Sequence, residues 1–207
     1  MDMVSNQNLC SMKRFLFVAA LLSLLCSEVM MAQSARQERR EAWKEARAQR
    51  RAEQKALEEV QDSVAYLKAV EALKAGNWVL EADNVVFRNG MLRFVSSNTN
   101  YVAVQDGEGT VQTAFDNFVY SPNGLGGVTV QGEVSGQDLS QDKDGNIFMN
   151  FSVFGGAISA TLNLTLTAGT NEASIYISPN FNGNNLTMNG NLVPYSEATI
   201  FEGTTSW

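Results

Sequence analysis

The sequence predicts a mainly β domain with an N-terminal helix: an antiparallel meander that closes into a barrel-like body or folds into a sandwich. Three observations carry this expectation. From Trp78 onward, short runs of Val, Ile, Phe and Thr alternate with Gly- and Asn-rich turn signals. Residues 34–75 lack Pro and Gly and are rich in Ala, Glu, Arg, Lys and Gln, all good helix formers. The helix–strand–helix rhythm of a parallel sheet is missing throughout.

The chain begins with an export pattern. Lys13 and Arg14 form a positive region, residues 15–25 an apolar run, and Met30-Met31-Ala32-Gln33 a small residue at a cleavable position. The run is about half the ~20 residues that a membrane span needs, so no transmembrane span is expected. Residues 1–32 are therefore read as a signal peptide, with Met12 as an alternative start to Met1, and the address as periplasmic or extracellular. A lipid anchor on Cys26 is the rival reading. Leu25 stands before it where a small residue is expected, so cleavage after Ala32 is preferred. Membrane association is expected only if Cys26 is lipidated.

Cleavage after Ala32 leaves 175 residues, enough for one domain with a real core. It removes Cys10 and Cys26, and the chain has no histidine. The exported domain must then be held by packing without disulfides. Ser-His-Asp and Cys-His nucleophilic machinery lacks its base. Metal sites built on His or Cys are lost as well. Carboxylate, Lys or Tyr chemistry and oxygen-ligated calcium remain open.

Charge is unevenly spread. Residues 34–75 carry ten Lys/Arg and eight Asp/Glu, whereas residues 76–207 carry three Lys/Arg (Arg88, Arg93, Lys143) and twelve Asp/Glu. An acidic body argues against a nucleic-acid partner, because phosphate binding favours a basic surface. Residues 36–55, with eight Lys/Arg against four Glu, form the basic cluster.

The predicted helix has two halves. Leu57, Val60, Val64 and Leu67 follow a 3-4-3 spacing that Tyr66, Val70 and Leu73 widen, which predicts a packed amphipathic face ended by Gly76. Upstream, residues 33–56 hold only Trp43 as a large apolar residue. Four-apart pairs there repel: Arg40 with Lys44, Glu41 with Glu45, Arg47 with Arg51. This half is expected to be a charged helical or frayed arm, with the β domain and its packed helix occupying 57–207.

Turn signals then mark the hairpins. Asn89-Gly90 separates residues 85–88 from 91–95, and Asp106-Gly107 separates 101–105 from 110–115. Asp144-Gly145 separates 132–139 from 147–154, residues 168–171 separate 158–166 from 173–178, and 183–185 lead into 186–192. In residues 158–167, Ile158, Ala160, Leu162, Leu164 and Leu166 share one face, while Ser159, Thr161, Asn163, Thr165 and Thr167 share the other. Val128, Val130 and Val134 repeat this pattern, with Thr129, Gln131 and Glu133 on the expected wet face. Nine or ten strands result, with the helix plugging one opening or covering one face.

Several stretches together resemble a known family. They are Gly76-Asn77-Trp78-Val79-Leu80-Glu81-Ala82-Asp83, Phe87-Arg88-Asn89-Gly90, residues 121–132, Ser178-Pro179-Asn180-Phe181 and Gly190-Asn191-Leu192-Val193-Pro194. With the preceding charged helix, they resemble the domain of unknown function 4251 family of exported bacterial proteins, over about residues 36–203. The resemblance implies an envelope protein and brings no functional residues with it.

Candidate sites stay weak beside their plainer readings, and no catalytic, cofactor-binding or metal-binding set is identified. Asp142-Lys143-Asp144-Gly145-Asn146 opens like a calcium loop, but Ile147 and Val153 stand where an EF-hand needs Gly and Glu. A polar turn is the simpler reading. The Gly-rich residues 121–127 lack the lysine and helix of a phosphate loop. Asn-rich residues 178–185 could hydrogen-bond a sugar, though tight turns want the same residues. Glu81, Asp83, Asp116, Glu133 and Asp138 are scattered carboxylates that no spacing joins into a glycosidase pair. Asn150, Asn163 and Asn185 match N-glycosylation patterns by chance, and Asp62-Ser63-Val64 matches a short O-glycosylation pattern within the packed helix.

Three functions follow as expectations. The first is a non-enzymatic envelope protein binding a small apolar or glycan ligand, or an envelope partner protein, with Ile158, Leu162 and Leu164 lining a barrel cavity. The second is an adaptor docking through its basic arm on an anionic membrane surface or an acidic protein, with a solvated spacer as the preferred plainer reading of that arm. The third is a carboxylate-based glycan hydrolase, which requires two carboxyl groups about 5–10 Å apart in a cleft.

Overall fold

The structure, a computed structural model, describes residues 3–114, 127–155, 159–180 and 185–203, with side chains from Arg36 onward. Helix α1 (Met3–Ala75) runs without a break through the charged arm. The chain forms two compact units, Met1–Leu57 and Glu58–Trp207. In the first unit every described side chain is exposed, and Arg47 stacks over the Trp43 ring at 5.3 Å. Among the described residues, no helix is long and apolar enough to cross a membrane.

The second unit holds the end of α1 and nine strands: β1 (Trp78–Phe87), β2 (Leu92–Phe94), β3 (Tyr101–Gln105), β4 (Glu108–Thr113), β5 (Val128–Gln141), β6 (Ile147–Phe154), β7 (Ser159–Leu166), β8 (Glu172–Pro179) and β9 (Leu186–Pro194). All pairings are antiparallel. Strands β3 to β9 pair in series, and β9 returns to β1 from Trp78↔Pro194 to Phe87↔Leu186. An eight-stranded barrel closes, and the sandwich alternative drops out. Strand β2 is additional: it pairs with Asn84–Val86 of β1, whereas β3 pairs with Trp78–Glu81 on the same edge.

The turns form where the chain supplies residues that tolerate positive φ. Asp106 (φ 50°) and Gly107 (φ 87°) make a two-residue turn that sets Gln105 opposite Glu108. Left-handed values at both central positions match the twist of the flanking strands. Gly76 (φ 70°) ends α1: its N–H bonds to the Leu73 carbonyl at 3.2 Å, and the Asn77 N–H to Ala72 at 3.1 Å. That pair of bonds satisfies the last helical carbonyls.

Alternation then fills the barrel. Leu162, Leu164 and Leu166 of β7 meet Phe151, Met149 and Ile147 of β6 and Ile177, Ile175 and Ala173 of β8. With Trp78, Leu80, Val102, Val104, Met188 and Leu192 they form one buried cluster. Trp78 meets Phe151 edge to face, with ring centroids 5.7 Å apart. Eight strands enclose a space just wide enough for side chains, and here side chains occupy it. Leu162 and Leu164 therefore belong to a packed core and do not line a ligand cavity; Ile158 lies outside the described residues.

The helix face also differs from expectation. Leu57, Val60, Val64 and Leu67 are 63%, 62%, 50% and 65% exposed. Ala69, Ala72 and Leu73 join the barrel core instead, flanked by Tyr66 and Val70. Among the described residues of α1, only its last turns carry buried side chains. The short Ala69 and Ala72 side chains are buried there beside Leu73. The Tyr66 hydroxyl, which donates to the Gly145 carbonyl of the β5–β6 turn, fixes the helix to the rim.

After a short 3-10 turn (Tyr195–Glu197), the C-terminal segment straps across the outside of the barrel. It covers Val79, Tyr101 and Ala103, with Val193, Tyr195, Ala198 and Ile200 packed on them. Thr199 donates from its backbone N–H to Glu81 at 2.6 Å, and Phe201 N–H to the Asn98 carbonyl at 2.7 Å. Under the strap lies Gln112, fully buried. Its Nε2 donates to the carbonyls of Thr99 (3.0 Å) and Phe201 (2.8 Å), and its Oε1 accepts from Thr129 Oγ1 (3.0 Å) and Gly203 N–H (2.8 Å). Thr129 is thereby buried, although alternation assigned it to the wet face. Burial raises the Tyr101 phenol above its ordinary pKa, and Glu202 and Tyr195 nearby add to this.

Candidate functional site: a polar cleft at the barrel seam

The barrel seam carries a defect that shapes its surface. Between Ala82 and Asn84 the β1–β9 register slips, leaving Asp83 unpaired with any single β9 residue. A bulge of this kind kinks its strand and re-aims the side chains around it. Opposite stands Gly190, where a Cβ would lie 1.9 Å from the Glu81 carbonyl oxygen. Only glycine permits that approach.

Over the bulge lies a cleft of about 400 Å³. Four strands supply its polar groups: Asp83 and Asn84 from β1, Asn189 and Asn191 from β9, Ser174 and Glu172 from β8, and Thr165 from β7, with Thr167 just beyond it. All are outward positions of alternating strands. Asn189 Nδ2 donates to Asn84 Oδ1 at 2.8 Å, and Asn191 Nδ2 points to Asp83 Oδ2 at 3.5 Å. Amides, hydroxyls and carboxylates thus converge on one concavity, and no Lys or Arg lines it.

Two other clefts border the helix. One of about 610 Å³ is bridged by the Lys68–Glu197 ion pair at 2.7 Å. The other, about 310 Å³, runs along Val60 and Val64 beside β9. The larger volume is the weaker candidate, because its charged pair Lys68 and Glu197 is already engaged across it; the seam cleft gathers its polar groups from four strands.

A family model for DUF4251, a domain of unknown function, matches residues 60–192. The chain belongs to the DUF4251 family. The crystal structure of a DUF4251 family protein from Bacteroides eggerthii shares 52% identity and superposes with a TM-score of 0.61, covering 69% of this chain and 96% of that one. No curated protein matches the sequence.

In this DUF4251 domain the described carboxylates singled out from sequence have separate surroundings. Glu81 is tied to the strap through Thr199. Glu133 is exposed opposite Glu108, and Asp138 is exposed on the distal part of β5 beside Asn150; Asp116 lies outside the described residues. Asp83 lines the seam cleft, and its companion there is Glu172, which sequence reasoning missed. They sit on strands separated by β9, so two strand spacings put them about 10 Å apart. The signal that could have found Glu172 is its place at the start of a strand next to the closing one, legible only once the closure is known.

The 142–146 segment is a turn held by its first residue. Asp142 accepts from the N–H groups of Asp144 (2.9 Å) and Asn146 (2.8 Å) and from Asn146 Nδ2 (2.8 Å). The Asn146 side chain, with these backbone N–H groups, holds the Asp142 carboxyl below its ordinary value of 3.8. A carboxylate favoured in the folded state adds stability above the unfolded value, and that stability is lost as pH falls through the lowered one. Asp142 is accordingly expected to titrate below 3.8 by carbon-detected NMR; a midpoint at or above that value would contradict the turn assignment.

The remaining motifs resolve similarly. Asn180 Nδ2 donates to Ser159 Oγ at 2.6 Å and Asn185 Nδ2 to the Tyr176 hydroxyl, so these asparagines bind neighbouring strands. Phe181 and residues 182–184, like 121–126 of the Gly-rich stretch, lie outside the described residues. Asn150 and Asn163 are cross-strand partners on the exposed face. Ser63 is exposed on α1 rather than packed, its hydroxyl donating to the Glu59 carbonyl at 2.8 Å.

Proposed function

We propose that this DUF4251 protein is an exported, non-enzymatic binding protein of the cell envelope that holds an uncharged glycan in the seam cleft. One observation carries the reading: amide, hydroxyl and carboxylate groups from four strands converge over the Asp83 bulge with no cation among them. Sugar hydroxyls both donate and accept, and this mixed set offers both. An anionic ligand would meet two carboxylates and no counter-charge. Strand placement fixes the groups before binding, which lowers the ordering cost of association. Export rests on the signal-peptide pattern of residues 1–32 and on the family resemblance.

The test is isothermal titration of the mature chain against a panel of neutral and acidic oligosaccharides. Binding of a neutral oligosaccharide is expected, weakened tenfold or more by Asn189→Ala combined with Asp83→Ala, since each lost hydrogen bond to a charged or polar partner is worth about 1 kcal/mol or more. The same variants should leave the thermal midpoint close to wild type. Preference for acidic glycans, or indifference to both substitutions, sinks the reading. Release of new reducing ends from the bound glycan would favour instead a hydrolase using Asp83 and Glu172. Against that stands their exposure: both face solvent, whereas the acid of such a pair is usually a carboxyl withdrawn from water.

A further inference from the structure

The helical arm has a property that composition conceals. At 100° per residue, Arg36, Arg39, Arg40, Lys44, Arg47, Arg50, Arg51 and Lys55 fall within an arc of about 160°. Glu38, Glu41, Glu45 and Glu53 fall within about 120° on the opposite side, without overlap. The four-apart repulsions seen in the sequence are the signature of this segregation: like charges were placed on like faces at the expense of helix-stabilising pairs. Trp43, 63% exposed, lies inside the basic arc. Among the described residues none of these eight cations forms an ion pair.

We infer that this face docks the protein onto an anionic lipid surface. Charge complementarity decides the kind of partner, and shape decides between candidates. Residues 36–55 form a straight face about 28 Å long. Engaging all eight cations together requires a flat, continuous polyanion, which a bilayer rich in acidic lipid provides. The acidic groups of a second copy are a poorer match, because its exposed carboxylates are distributed around a convex barrel, from Asp83 and Glu172 at the seam to Glu108 and Glu133 on β4 and β5. Trp43, with Arg47 stacked on it, suits the headgroup level, where an apolar ring and a cation are both accommodated. With one aromatic and no apolar stripe in this stretch, the arm adsorbs to the surface without inserting deeply. The Glu face is left toward water.

Flotation of the mature full-length chain with vesicles tests the inference. Binding is expected to vesicles containing phosphatidylglycerol and not to pure phosphatidylcholine, and it should weaken steeply with salt. Each basic residue at such a surface contributes about fivefold. Neutralising Arg39, Arg40, Arg47 and Arg50 together to Gln should therefore lower the partition coefficient by two to three orders of magnitude. Glu41→Gln with Glu45→Gln, on the other face, should leave it unchanged or raised. Trp43 emission should shift blue on binding, a shift absent in Trp43→Phe. Circular dichroism checks that each variant keeps its helix. Equal binding to neutral vesicles, or survival of binding in the four-Gln variant, overturns the inference. So does salt-sensitive self-association with no vesicle binding, which would assign the face to a second copy.

Discussion

Gly190→Ala is expected to cost roughly 3 kcal/mol or more of folding stability, because the new methyl has no flexible neighbour to displace. Its Cβ would sit 1.9 Å from the Glu81 carbonyl oxygen and 2.8 Å from the Ala82 Cα, both backbone atoms of the strand that closes the barrel. Accommodation requires β1 and β9 to separate along the seam. The loss is large beside a typical total of ~5–15 kcal/mol. Gly169→Ala supplies the comparison: Gly169 sits in an open turn at φ 78° with nothing near its absent Cβ, so only the left-handed backbone is penalised, by about 1 kcal/mol. Denaturant unfolding of both variants decides it. Equal destabilisation would show that the seam is not held closed by this approach.

Gln112→Glu is expected to release the C-terminal strap. The native amide fills all four of its hydrogen-bonding positions, two as donor and two as acceptor. A carboxylate keeps the shape but loses both donors, leaving the Thr99 and Phe201 carbonyls facing a buried negative charge. Such a change costs about 3 kcal/mol or more. Detachment should be more visible than global unfolding: chymotrypsin should cut at Tyr195 and Phe201 in the variant and spare them in the native protein. A strap equally resistant in both would mean that its apolar contacts with Val79, Tyr101 and Ala103 suffice without Gln112.

Local features of this fold were readable, and long-range ones were not. Asn89-Gly90 and Asp106-Gly107 announce hairpins because the positive φ those turns require admits few residues. The alternation of Leu162, Leu164 and Leu166 against Thr161, Asn163 and Thr165 announces a half-wet strand because a strand's period is two. The pairing of Trp78 with Pro194 has no local correlate. The bulge at Asp83 left a trace that went unread: the inward alternation Trp78–Leu80–Ala82 skips an extra residue before Val85. The helix shows what spacing cannot give: Leu57, Val60, Val64 and Leu67 are correctly spaced for a face, yet they stay at least half exposed while Ala69, Ala72 and Leu73 pack instead. Thr129 was misplaced because the strap from residues far downstream turns a wet face into a covered one. The seam cleft was invisible for the same reason, its residues being drawn from strands at both ends of the barrel order.

Closure between the first and last barrel strands also governs when the protein can fold. Strand β1 offers one edge to β2 and β3 and the other to β9, so that second edge stays unpaired until Leu186–Pro194 exists. Contacts spanning so much of the chain form slowly, because loop-closure entropy must be overcome before they yield any stabilisation. The core is equally late, since Trp78, Leu80 and Leu192 meet only in the closed barrel. An emerging or partly threaded chain therefore has no stable stopping point. For the export proposed above, that delay would keep the chain in a transportable state until its last strand is released.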